Sequence, residues 1–161
     1  MTLNLRLPNR EGARPETTRP TPADPHPHTQ RSQNAPPALQ EQLVARAATL
    51  PGVRVADSLV SVPGARAFHL DAALAVGPPG AFQRGTEFAH VHPAYDGSLH
   101  LTLPPEVYQK VLSAQWGEPH PISGTMMVFG PRDDDELETV WQILAISYRY
   151  AAGQAPVAPR P

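Results

Sequence analysis

Apolar positions recur at two different spacings along residues 37–152, and the switches between them set out the elements. Leu39, Leu43, Val44, Ala47 and Leu50 fall at helical spacing behind Pro36 and Pro37, and Pro51-Gly52 ends that run. Short β-like runs follow at Val53–Val55, at Leu59–Val62 and, beyond the Pro63-Gly64 turn, at Ala67–Val76. Gly77-Pro78-Pro79-Gly80 reads as a loop. Glu87–His92 and Ser98–Leu103 read as strands joined by Pro93-Ala94-Tyr95-Asp96-Gly97. Pro104-Pro105 suits the first turn of a helix that carries Val107, Tyr108, Val111 and Leu112 on one face. Trp116–Gly124 reads as a loop and Thr125–Phe129 as a buried strand. Asp133, Asp134 and Asp135 favour the positive end of a last helix, whose apolar stripe is Leu137, Val140, Trp141, Leu144 and Tyr148. The order α-β-β-β-β-β-α-β-α predicts an α+β fold: a largely antiparallel sheet of about five to six strands with helices packed on one face.

The hairpin at residues 87–103 carries the most information. A regular register centred on Tyr95 sets His92 opposite Ser98 and His90 opposite His100. One face then carries His90, His92, Ser98, His100 and Thr102, and the other Ala89, Val91, Leu99, Leu101 and Leu103. A slip of one residue would bury the imidazoles among the helices and expose the leucines, so the alternation specifies the register. Glu87 falls on the apolar side in this register and reads as structural or as rim.

Composition sets the limits of this picture. Residues 1–36 are rich in Pro, Arg, Thr and Gln and poor in large apolar groups, so a disordered tail is expected there, with His26 and His28 solvated rather than metal-binding. Residues 153–161 read as a second tail, which leaves residues 37–152 as the folded domain. The net charge of −2, with Lys and Arg scattered, gives no reason to expect a nucleic-acid or anionic-membrane partner. The absence of cysteine excludes disulfides, thiolate catalysis and Cys-ligated zinc. No apolar run follows the first arginine and none approaches the roughly 20 residues of a membrane span, so a soluble, cytoplasmic protein is expected. A Gly-rich phosphate loop, a Gly-x-Ser-x-Gly elbow and a His-Glu-x-x-His helix are all missing from the sequence.

An ordered set of short motifs points to a family. Glu87-Phe88-Ala89-His90-Val91-His92 is followed by Asp96, Leu99-His100-Leu101, Trp116-Gly117, His120-Pro121, Gly124 and Pro131-Arg132, and then by an acidic run and a helix holding Ser147 and Tyr150. In that order and at those spacings, residues 86–150 resemble the fungal luciferase domain, and Phe68-His69 extends the likeness upstream. The resemblance implies oxidation of a hispidin-type pyrone by molecular oxygen, without a recognised metal or flavin. It makes a small molecule and oxygen the expected partners.

Three readings of the histidine face follow. In a cofactor-free oxygenase, His90 or His100 serves as the base that ionises an acidic enol, while His92 and His120 orient it or hold the oxyanion. Ser98, Thr102 and Tyr150 then supply hydrogen bonds, Trp116 a stacking wall, and His69 and Arg132 outer contacts to substrate. In the second reading His90, His92 and His100 ligate a divalent metal with a position left open. In the third the face holds a planar phenolic ligand without transforming it. Trp141, Tyr148, Met126 and Met127 read as core, Asp133–Asp135 as helix-start chemistry, and Glu118 as exposed.

Overall fold

Local chemistry starts and stops each helix. The first helix, α1 (Pro37–Ala48), has proline in its first turn and buries Leu39, Leu43, Val44 and Ala47. The second, α2 (Pro105–Ser113), begins at Pro105 and buries Val107 and Val111. The last, α3 (Asp134–Ala151), is capped by Asp133, whose carboxylate accepts the Glu136 N–H at 2.8 Å. These ranges come from a computed structural model that describes residues 5–154.

The strands are β1 (Thr17–Thr18), β2 (Thr29–Gln30), β3 (Val53–Asp57), β4 (Arg66–Leu70), β5 (Glu87–Val91), β6 (Leu99–Leu101), β7 (Gly117–Pro119) and β8 (Met126–Val128). β1 and β2 pair with each other, and the rest form a six-stranded antiparallel sheet in the order β3-β4-β5-β6-β8-β7. The α+β class and the antiparallel sheet match the expectation from sequence. Ala89, Val91, Leu99 and Leu101 join the three helices in one apolar cluster, so the hairpin's greasy side is the floor of the core. Gln40 of α1 donates to the His92 carbonyl, which locks helix to hairpin from the same side.

Three segments differ from their sequence reading. Leu59–Val62 is a turn, because the Ser58 hydroxyl accepts the Val60 and Ser61 N–H groups and folds the chain back. The strand expected through Val76 stops at Leu70, where the Asp71 carboxylate accepts the Ala73 N–H and starts a turn. The loop after Trp116 contains β7, because Gly117 lets the backbone press against Met127, where an added Cβ would lie 2.2 Å from the carbonyl oxygen.

The largest difference lies ahead of α1. The described residues 5–36 are a packed strap rather than a disordered tail. Its few apolar side chains cannot build a core, as its composition dictates, but its polar groups find partners on the domain. Arg10 N–H donates to the Ala114 carbonyl at 2.9 Å, and Trp116 Nε1–H to the Pro8 carbonyl at 2.7 Å. Arg132 of the α3 entry donates to Gln33 and to the Glu11 carbonyl. Of the tail expected at residues 153–161, residues 155–161 lie outside the described residues. Among the described residues, no helix is long and apolar enough to cross a membrane.

Candidate functional site

The hairpin has the register read from its alternation: His90 pairs with His100, and the His92 N–H donates to the Ser98 carbonyl at 2.9 Å. Gly97, at φ 73°, supplies the left-handed residue of the turn. The polar face is nonetheless not a solvent face. His90, His92 and His100 are each less than 5 % exposed, because the strap crosses over them.

Glu87 breaks the alternation. Phe68 pairs with Ala89 and His69 with Glu87, so Phe88 is an extra residue in β5. Phe88 and Ala89 both enter the core, and the carboxylate of Glu87 is re-aimed to the histidine side, as β-bulges do. It accepts from His90 Nδ1 at 3.0 Å, from the Ser58 hydroxyl at 2.7 Å and from the Leu59 N–H at 2.8 Å. This corrects its assignment to the apolar side. Burial alone would raise Glu87, but these bonds outweigh it and leave the carboxyl below its ordinary value.

His92 is set in the same way. Its Nδ1 lies 2.6 Å from Asp96 Oδ2, and Asp96 in turn accepts the N–H and hydroxyl of Ser98. Burial would raise Asp96, but the bonds from His92 and Ser98 prevail and hold it ionised below its usual range. A carboxylate only accepts, so both His90 and His92 carry their proton on Nδ1 and keep a lone pair on Nε2.

His100 lies between neighbours. Its Nδ1 is 3.1 Å from His92 Nε2, and its Nε2 is 3.1 Å from Nδ1 of His28, a residue of the strap. Burial, with the imidazoles of His92, His90 and His28 around it, holds His100 well below the ordinary histidine value, so it is neutral. Burial also lowers His90, against the opposing pull of Glu87. His120 stands 5.5 Å from His100 and 5.1 Å from His28, ring centre to ring centre. Its Nδ1 accepts the Ile122 and Ser123 N–H groups at 3.1 Å each, which leaves the proton on Nε2. Partial burial, then the nearby His28, lower its pKa.

His28 was read from sequence as solvated and is 2 % exposed. Its Nε2 is 2.6 Å from Glu118 Oε1. Glu118, expected to be exposed, is 1 % exposed and also takes Arg19 at 2.9 Å and Arg14. Burial would raise this carboxyl, but His28 and the arginines drive it far below the usual carboxylate range. The signal that could have placed His28 is faint: one histidine in a Pro-rich stretch, with two arginines upstream, facing a glutamate next to Trp116-Gly117.

These rings wall a cavity of about 530 Å³. His26, His28, His90, His92, His100 and His120 line it with Phe82, Gln83, Val60 and Ile122, and Val60 and Ile122 are about half exposed at its mouth. The other sequence candidates lie elsewhere. Ser98 holds Asp96, and Thr102 donates to the Ala81 carbonyl at 2.8 Å. His69 donates from Nε2 to the Asp57 carbonyl at 3.0 Å, which ties β4 to β3. Trp116 is core and, with Arg132, borders a separate cavity beneath the strap; Arg132 is committed to Glu136 at 2.6 Å. Tyr150 packs against the core beside Gly80. None of these six lines the histidine cavity. As for metal, His90, His92 and His100 each place one ring nitrogen within 4.8 Å of the others.

Comparison with known proteins agrees with the motif order. Residues 85–147 match the model of the Luciferase domain. The luciferases of Armillaria gallica and Armillaria mellea are 33 % identical over 73 residues, which is 40 % of this chain and 27 % of theirs. The luciferase of Neonothopanus nambi is 32 % identical over 73 residues. The match thus spans about a quarter of the length of these relatives. No solved structure matches the chain. With β5, most of α3 and four of the six cavity histidines inside the matched stretch, residues 85–147 are similar to the Luciferase domain and support a luciferase-like domain protein.

Proposed function

We propose that the histidine-lined cavity binds a small planar molecule with an acidic enol or phenol, of the pyrone or phenol type, and promotes its oxidation by molecular oxygen. The observation that carries this reading is a cavity lined by six imidazoles, three of them fixed by buried carboxylates. Its volume of about 530 Å³ suits one such molecule. Val60, Phe82 and Ile122 offer an apolar lip for a flat ring.

The chemistry follows from the ring tautomers. An enol must lose its proton before it can give electrons to oxygen. His92 Nε2 faces His100 Nδ1 at 3.1 Å, which leaves the Nε2 lone pair of His90 as the Lewis-basic atom turned to the cavity. It acts on the enol by taking its proton or through a cation that it helps to hold. His120, with its proton on Nε2, is a donor suited to the anion that results. His100 is an unsuitable free base, since both its nitrogens are engaged. The curated luciferases support the oxidative reading by likeness, over the stretch that holds these residues.

The test is to mix the purified full chain with a hispidin-type pyrone in air and follow pyrone absorbance and dissolved oxygen. Consumption of both is expected, with a fall of about 10²-fold in rate for His120→Ala. Binding without depletion of either would reduce the function to ligand binding. No binding would remove the reading.

A further inference from the structure

The two carboxylates fix the protons of the cluster from its two ends, and they leave it one cation short. Asp96 fixes the proton of His92 on Nδ1, so His92 Nε2 is a lone pair. Glu118 fixes the proton of His28 on Nε2, so His28 Nδ1 is a lone pair. His100 lies between these two lone pairs, 3.1 Å from each, and a neutral imidazole has one proton to give. Whichever neighbour receives it, the other contact sets nitrogen lone pair against nitrogen lone pair. A third, His90 Nε2, is turned inward beside them, because Glu87 holds Nδ1.

We infer that His90, His92 and His100 bind a divalent first-row transition metal, with Glu87 and Asp96 orienting two of the rings as outer partners. The distances fit. Two nitrogens at about 2.0–2.1 Å from a common ion stand about 3.0–3.4 Å apart, depending on the angle between them. The 3.1 Å between His92 Nε2 and His100 Nδ1 falls in that range, and the three ligand atoms lie within 4.8 Å of one another. A histidine ligand with its second nitrogen on a carboxylate is the usual support of such centres, and here Glu87 and Asp96 both provide it. His100 then donates from Nε2 to His28, which ties the strap to the centre. Three imidazoles and no ligating carboxylate suit metals of the zinc, copper, iron and nickel type over magnesium or calcium. Three ligands leave at least one position open toward the cavity.

This inference shares its location with the proposed oxidation but does not require turnover. Tag-free full chain, purified without chelator, is analysed for metal by mass spectrometry, and chelator-stripped chain is titrated with Co²⁺ alone. One metal per chain is expected, with the visible absorption of cobalt in a low-symmetry nitrogen site. His90→Ala and His100→Ala should each lower Co²⁺ affinity at least tenfold, with circular dichroism as the check on folding. Should either fail to fold, Asp96→Asn reads the same centre, with an expected loss of about 10–100-fold. Glu106→Ala, on the exposed side of α2 and outside the cavity lining, should bind as the parent does. Absence of metal together with no cobalt spectrum would overturn the inference and assign the short contacts to a shared proton. Binding unaffected by these variants would overturn it by placing the ion elsewhere. Oxygen uptake by the stripped, metal-free chain would leave the oxidation standing without the metal, and a metal-loaded chain that consumes no pyrone would do the reverse.

Discussion

His28 Nε2 stands 2.6 Å from Glu118 Oε1, across ninety residues of sequence. The contact joins a Pro-rich strap to the edge strand β7, and both side chains are buried. The strap therefore forms part of the cavity wall, and over the cavity Glu118 is the carboxylate that gathers its His28, Arg14 and Arg19.

Glu118→Ala should release the strap. The substitution strips His28, Arg14 and Arg19 of their shared partner. Leaving the His28 N–H buried without an acceptor costs about 1–3 kcal/mol. The arginines are more than half exposed, so their pairs add little. Hydrogen exchange should rise across residues 14–32 while β5 and β6 stay protected. Unchanged exchange in the strap would contradict its dependence on Glu118.

Strap docking should also respond to acid, and the sign follows from the carboxylate. Glu118 is depressed in the folded chain, with His28, Arg14, Arg19 and Thr17 around it. A depressed acid contributes stability above its unfolded value, near 4.5, and loses that contribution as pH falls from there toward the folded value. Glu136, lowered by Arg132 against the effect of burial, acts in the same direction where Arg132 holds Glu11 and Gln33. Unfolding midpoints measured from pH 7 downward should thus decline in two stages: first below about pH 6.5, where the unfolded chain takes up protons that the lowered His90, His100 and His120 do not, and again below about pH 5 as these carboxylates are protonated. Glu118→Gln should flatten part of the second decline.

What the sequence made legible was what local alternation controls. The pairing of His90 with His100 and the burial of Leu99 and Leu101 follow from a period of two and one turn. His120 also joins the cluster, as its place in the motif order suggested. Glu87 was misplaced because a bulge has no pattern of its own: Phe88 and Ala89, two adjacent apolar residues, look like ordinary strand composition. The strap was misread for a different reason. It is held by long-range polar bonds such as Arg14 to Glu118 and Gln30 to Gly130, and hydropathy patterns carry no information about such partners.

Trp116 offers a test of that revised assignment. It was expected to stack on a ligand, but its ring is in the core and its N–H holds Pro8. Trp116→Phe should cost about 1 kcal/mol from the lost hydrogen bond, with a further part from the smaller ring, and loosen residues 5–10. Pyrone binding and cobalt affinity should not change, since Trp116 borders the other cavity. A weaker pyrone affinity in a folded variant would return the ring to the site.

Gly117→Ala should connect fold to site most directly. A Cβ there would lie 2.2 Å from the Met127 carbonyl oxygen and 2.8 Å from the Met126 sulfur. The thioether can rotate away, but the carbonyl belongs to the β7–β8 ladder and cannot. The edge strand must therefore shift outward, and it carries Glu118, the next residue, with it. Because Glu118 is the partner of His28, a methyl group far from any imidazole should open the strap side of the cavity. The expected signature is strap exchange like that of Glu118→Ala, with His90 and His100 still paired in the hairpin. A Gly117→Ala chain with parental strap protection would mean that β7 moves independently of the strap.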